Sequence, residues 1–330
     1  HVPRFGSGEA KGVIDESVRG MDLYILVDVC NYSLTYSMSG NTNHMSPDDH
    51  YQNLKRIIAA VGGKAKRINV IMPFLYESRQ HKRSSRESLD CALALQELTH
   101  MGVDNIITFD AHDPRVQNAI PLSGFETVRP TYQFVKGLLD RYDDLIIDSD
   151  HMMAISPDEG ATERAVYLAN VLNLDMGMFY KRRDYTRVVN GRNPIVAHEF
   201  LGSSVEGKDV IILDDMISSG DSILDVAKQL KSRNAKRIFA AATFGLFTNG
   251  LDKFDEAYES GLIDGVLTTN LIYQTPELLS RPYYINCDMS KYVALMIDTL
   301  NHDGSISDIL DPSERIQVCV EEYKKAHGQL

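Results

Sequence analysis

Short apolar runs alternate along this chain with stretches whose apolar residues recur every three or four positions. The runs predict strands over residues 22–29, 68–72, 106–109, 145–147, 176–179, 210–213, 238–243 and 266–269. Between them lie helical patterns. Residues 88–101 set Cys91, Leu95 and Leu98 on one face, 161–172 is rich in helix formers, and 222–232 aligns Ile223, Val226, Ala227 and Leu230. The tail from 312 reads as one more helix, with Ile316, Val318, Cys319 and Tyr323 as its apolar side. Strands alternating with helices at these lengths predict an α/β fold built from βαβ units around mainly parallel sheets. The pattern runs twice, before and after about residue 131. Two stretches break it. Residues 31–51 are polar and irregular, and 184–205 are poorly periodic, so both are expected as long loops.

Composition narrows the classes. Of 330 residues, 43% are hydrophobic and 24% charged, the balance of a globular protein with sizeable cores. The formal net charge of -12 argues against a nucleic-acid partner, whose phosphates need a basic surface. The four cysteines stand far apart with no C-x-x-C pair, so reduced thiols are expected and metal–thiolate chemistry is not. With neither a membrane-length apolar run nor a leader pattern, a cytoplasmic protein with no membrane partner is expected.

One segment carries chemistry. The run 210–213 leads directly into Asp214-Asp215-Met216-Ile217-Ser218-Ser219-Gly220-Asp221-Ser222 and then into a helix. In open α/β sheets ligands bind at the carboxyl ends of strands. Small residues let backbone N–H groups approach a phosphate, and a helix N-terminus favours its charge. Two adjacent carboxylates accept bonds from ribose hydroxyls or hold Mg²⁺ through water. A plain strand–turn–helix with a polar cap has the same residues, so the segment alone leaves both readings open.

The segment resembles the phosphoribosyl diphosphate-binding motif of the type I phosphoribosyltransferase fold, and other segments resemble one branch of that fold, the ribose-phosphate diphosphokinases. They follow in the family's order across nearly the whole chain. Phe5-Gly6-Ser7-Gly8-Glu9 is similar to F-x-D-G-E, and Ser17-Val18-Arg19-Gly20 to the family's S-V-R-G. Pro73-Phe74-Leu75-Tyr76-Glu77-Ser78-Arg79-Gln80-His81-Lys82-Arg83 is similar to P-Y-x-x-Y-A-R-Q-D-R-K. Asp110-Ala111-His112-Asp113 resembles D-L-H-A, Ser156-Pro157-Asp158-Glu159-Gly160 resembles S-P-D-x-G, and Lys181-Arg182-Arg183 resembles K-R-R.

The resemblance implies two tandem phosphoribosyltransferase-like domains. The first, 1–131, would take ATP and be completed by a helix over 289–310. The second, 132–288, would take ribose 5-phosphate, and 311–330 would be an extension. The implied reaction moves the diphosphoryl group of Mg-ATP to the C1 hydroxyl of ribose 5-phosphate. Phe5, Glu9, Arg79, Gln80 and His112 would bind ATP, Phe5 and Glu9 in a neighbouring copy's site, so a homo-oligomer (dimer or hexamer) is implied. His112 and Asp158 would hold Mg²⁺. Lys181 and Arg183 would be catalytic, opening a loop that closes over the site. Asp214, Asp215, Ser218, Ser219, Gly220, Asp221 and Ser222 would bind ribose 5-phosphate. The family also implies sequence ahead of His1.

Among the positions that depart from the pattern, three bear most on activity. Ser7 and His81 each replace an Asp, and Asp221 replaces a Gly. The last matters most, because a carboxylate about 4 Å from a phosphate is repelled by roughly 1–4 kcal/mol. These departures leave two alternatives beside the synthase: a catalytically weak regulatory homologue, or a transferase that consumes phosphoribosyl diphosphate.

Overall fold

The computed structural model describes residues 1–183 and 195–329, with the backbone alone for 181–183 and 195–198. The chain divides into two compact units. The first comprises His1–Pro130, Asn270–Tyr273 and Met289–Leu310, and the second Thr131–Thr269, Gln274–Asp288 and Asp311–Leu330.

The first unit opens with β1 (Asp22–Leu26), the hairpin β2 (Thr35–Met38) and β3 (Asn41–His44), and α1 (Pro47–Val61). It continues through β4 (Arg67–Ile71), α2 (Asp90–His100), β5 (Asn105–Phe109) and β6 (Gly124–Val128). Its sheet is parallel in the order β1-β4-β5-β6. The central strands are buried, with Val70, Ile71, Ile106, Ile107 and Phe109 all fully covered. Such strands read as continuous apolar runs because helices cover a parallel sheet on both faces. The α2 face of Cys91, Leu95 and Leu98 is buried against this core.

The second unit begins with α3 (Thr131–Arg141), β7 (Met152–Ser156), α4 (Thr162–Leu172), β8 (Asp175–Arg183) and β9 (Ile195–Leu201). Next come β10 (Asp209–Ile217), α5 (Asp221–Lys231), β11 (Ile238–Gly245), α6 (Asp252–Glu259), β12 (Gly265–Thr269), α7 (Pro276–Leu279) and β13 (Tyr284–Cys287). The strand order is β13-β12-β11-β10-β7-β8-β9, parallel except for β9, which runs against β8. From β7 the chain winds one way, to β8; from β10 it winds the other way, to β11. The β7–β10 boundary is therefore a topological switch point, where the loops after two neighbouring strands part and leave a crevice.

The chain then returns to the first unit with α8 (Ser290–Asn301) and α9 (Ser307–Leu310), and ends in the second with α10 (Ser313–Ala326). Met289, Tyr292 and Met296 are buried in the first unit. There Arg67, at the start of β4, pairs with both Asp22 of β1 and Asp303 beyond α8. In α10, Ile316, Val320 and Tyr323 are buried, while Val318 stays exposed.

Four expectations are corrected. Residues 145–147 form no strand: Leu145 and Ile147 are buried, but the Leu145 N–H donates to the Tyr323 hydroxyl at 3.0 Å and its carbonyl accepts from Gln329 at 2.7 Å. Side chains from the C-terminus thus satisfy a backbone that a sheet would otherwise pair, and the strand is β7, five residues on. Residues 31–51 hold the β2–β3 hairpin and the start of α1, whose Ser46 and Asp49 form a reciprocal capping box. Within 184–205, β9 is a strand. Finally, β10 runs on to Ile217, so Asp214 and Asp215 lie inside a strand rather than in a loop after it.

Among the described residues no helix is long and apolar enough to cross a membrane. All four cysteines are free thiols, and burial pushes Cys91 and Cys287 up to about 12.

Candidate active site

The acidic segment occupies the crevice at the switch point. Its ladder with β7 ends at the pair Ile212–Ile155, whereas the ladder with β11 continues through Asp214–Ala242 and Ile217–Gly245. Asp214 and Asp215 therefore stand past the end of β7 while still held rigidly by β11. Asp215 is buried, and its N–H donates to Asp214 Oδ1 at 2.8 Å. Burial, then the adjacent Asp215 charge, raises the Asp214 carboxyl well above the ordinary carboxylate range, and the charge of Asp158 adds to it. Such a group is poised to meet hydroxyl donors or a cation.

Beyond β10 the chain turns through Ser218 and Ser219 to Gly220, which caps α5 with a φ of 86°. A Cβ at Gly220 would sit 2.4 Å from the Phe254 ring of α6, so only glycine fits that backbone against that ring. The Ser218 carbonyl accepts from Thr248 N–H at 3.0 Å, fixing the other side of the turn. Asp221 and Ser222 open α5, where the first N–H groups of a helix have no partner within it. The Asp221 carboxylate accepts from Ser219 Oγ at 3.0 Å and from Lys253 Nζ at 2.5 Å. The Lys253 bond is the largest influence holding Asp221 below its usual range. Nothing near Lys253 in the sequence signals this pairing, which joins positions 32 apart.

The loop after β7 forms the other wall. Asp158 caps the short 3₁₀ turn Glu159–Ala161, its Oδ1 accepting from Gly160 N–H at 3.0 Å, and its carbonyl accepts from Ser156 Oγ at 2.6 Å. Lys181 and Arg183 stand on the backbone of β8, in register with His198 and Ile195 of β9. The closing loop expected beyond Arg183 falls largely on 184–194, outside the described residues.

In the first unit, the expected ATP-side residues lie past the carboxyl ends of β4 and β5 and near the N-terminus. Arg79 is exposed. The Gln80 side-chain amide donates to the carbonyls of Ser88 (2.9 Å) and Lys82 (3.3 Å), stapling the basic loop that contains Lys82, Arg83 and Arg86. His81 faces His112, ring centroids 5.3 Å apart, and its Nε2 lies 3.5 Å from Asp113. Arg115 grips Asp113 at 2.9 and 2.6 Å and lowers its carboxyl to about 2. Burial outweighs the Asp113 charge at His81 and lowers that imidazole below its ordinary value, favouring the neutral form. The resemblance of Asp110-Ala111-His112-Asp113 to D-L-H-A singled out His112; the contact with His81 is what it did not reveal. In the turn at the N-terminus Phe5 is 55% exposed, and Ser7 donates to Glu9 at 2.9 Å.

Among the described residues no three His, Cys, Asp or Glu side chains gather in metal-holding geometry. The carboxylates around the switch point nonetheless suit a hard cation that keeps water and substrate oxygens in its shell, which is how Mg²⁺ binds. The charges of Asp215 and Asp158 both act on the buried Asp214, and a cation there would relieve their mutual repulsion.

Comparisons with known proteins agree with this layout. The family model described as the N-terminal domain of ribose phosphate pyrophosphokinase matches residues 1–102, and the phosphoribosyl transferase domain model matches 129–269. The ribose-phosphate pyrophosphokinase of Mycoplasma genitalium is 31% identical over 272 residues, covering 82% of this chain and 74% of that one. That of Vibrio parahaemolyticus is 28% identical over 310 residues, covering 93% and 89%. Among solved structures, phosphoribosylpyrophosphate synthetase from Mycobacterium smegmatis shares the fold with a TM-score of 0.75, at 24% identity over 92% of this chain and 90% of that one. With both domain models met in order and the carboxylate strand at the switch point of the second, the chain belongs to the ribose-phosphate pyrophosphokinase family.

Proposed function

We propose that this protein transfers the diphosphoryl group of Mg-ATP to the C1 hydroxyl of ribose 5-phosphate, giving 5-phosphoribosyl 1-diphosphate and AMP. The observation that carries the reading is the strand–turn–helix from Asp214 to Ser222 at the switch point, in a chain that belongs to this family. Asp214 and Asp215 would accept bonds from the ribose hydroxyls, while the turn from Ser218 to Ser222 would give its N–H and hydroxyl donors to the 5-phosphate. The first unit would take ATP, with Arg79 and His112 toward the phosphates and Gln80 holding the loop that presents Arg79.

Phosphoryl transfer asks a protein for alignment and charge more than for covalent chemistry. Lys181 and Arg183 would neutralise the migrating diphosphoryl group, and no general base is assigned. His112 and Asp158 would hold Mg²⁺, whose chemistry is to shield the phosphate charge. The proposal extends to a homo-oligomer, in which the exposed Phe5 and Glu9 serve a neighbouring copy's adenine, and to work in the cytoplasm, where both substrates are met.

The test is AMP formation from ATP with and without ribose 5-phosphate and Mg²⁺. Sugar-dependent AMP is the expected result; its absence across metals and phosphate concentrations sinks the reading. Lys181→Ala is expected to lower kcat by about 10²- to 10³-fold, and unchanged turnover removes Lys181 from the mechanism. Light scattering tests the oligomer, with a monomer at assay concentrations as the contrary outcome.

A further inference from the structure

We propose that Lys253 is a positioning residue for the sugar 5-phosphate, acting with Asp221 as a matched pair. The inference rests on the ribose 5-phosphate reading of the 218–222 turn. In that reading Asp221 is an anomaly, a carboxylate on the first residue of the helix that must receive an anion. The structure supplies its counterpart. Lys253 Nζ sits 2.5 Å from Asp221 Oδ1, and Ser219 Oγ donates to Oδ2 at 3.0 Å, so both oxygens are engaged.

Lys253 stands in the first turn of α6, where a cation opposes the helix dipole and gains nothing from its own helix. What recommends the position is its neighbour: Phe254, the next residue, is the ring against which Gly220 packs. The same short segment of α6 thus fixes the turn sterically through Phe254 and electrostatically through Lys253. Asp225 and Glu256 also act on Lys253, but Asp221 is its largest influence.

The pair has two consequences. It cancels the repulsion that an unpaired Asp221 would exert on a phosphate held by the α5 N-terminus. It also leaves an ammonium beside the cradle, one whose other donors can turn to a phosphate oxygen without releasing Asp221. Both groups are about half exposed, 53% for Lys253 and 55% for Asp221, so the effect belongs to ligand affinity and weakens with salt.

The test is a double-mutant cycle on ribose 5-phosphate binding, measured by isothermal titration and by steady-state AMP formation. Lys253→Ala is expected to raise Kd and KM for the sugar roughly 3- to 10-fold with kcat nearly unchanged. Adding Asp221→Gly to Lys253→Ala is expected to restore most of that loss, and Lys253→Arg to keep wild-type affinity. A structural role alone would leave the KM-to-kcat split and the rescue absent. Additive effects, or an unchanged KM in Lys253→Ala, overturn the inference while a wild type that binds the sugar and forms AMP leaves the functional reading standing. A wild type that binds no ribose 5-phosphate overturns both.

Discussion

Asp214 is a residue held in a state it does not favour. Its folded carboxyl is raised above the unfolded value of 3.8 by burial and by Asp215. A raised carboxyl contributes stability that is fully present below the unfolded value and is lost as pH climbs through the folded one. Ionising this buried carboxyl as pH rises therefore opposes folding of the second unit. Asp214→Asn is expected to raise the thermal midpoint at pH 7 to 8, by about 2–4 °C for each kcal/mol recovered, and to flatten the pH dependence of stability. The same variant should lose ribose 5-phosphate affinity. A lower midpoint with intact binding would contradict both the shift and its use. Gly220→Ala tests the turn beside it: with a φ of 86° and Phe254 2.4 Å from the new methyl, it should cost about 1–3 kcal/mol in urea unfolding.

At the scale of elements, the α10 helix is structural for the second unit. The Tyr323 hydroxyl accepts from Leu145 N–H and donates to the Tyr142 carbonyl at 2.8 Å. Tyr323→Phe leaves a buried N–H without its partner and should cost about 1–3 kcal/mol, read as a lower denaturant midpoint with unchanged slope. No local signal announces this, which is why 145–147 reads as a strand: the apolar run is real and buried, but what pairs its backbone arrives nearly two hundred residues later. The helix faces of α2 and α5 were legible because amphipathic periodicity is local, and so were the central strands β4, β5, β10, β11 and β12. The β2–β3 hairpin was not, since its TYSM and NTNH strands are exposed and polar and carry little alternation. At the site, the carboxylates and the glycine of the turn were legible from residue type. The reach of β10 past Leu213 was not, because strand pairing with β11 overrides the polarity of Asp214 and Asp215. Lys253 and the His81–His112 contact were invisible because they join distant segments.

At the scale of the whole molecule, each unit carries its own share of the proposed chemistry. Ribose 5-phosphate should slow hydrogen exchange in the second unit at 214–224 and around Asp158, and Mg-ATP in the first unit near 79–83 and 110–113. Protection by the sugar confined to the first unit would reverse the assignment.

The two units are also interleaved along the chain. The first needs 289–310, which follow nearly all of the second, and the second needs 311–329, which follow that return. A growing chain can assemble much of each sheet, but the first unit lacks α8 and α9, and the second lacks α10, until well after both sheets have been made. Neither unit can therefore fold to completion before the other's sheet has been made. A chain cut after Leu310 keeps every element of the first unit and leaves the second without α10, its Leu145 backbone and core open. Such a product should be found by proteases at the second unit first.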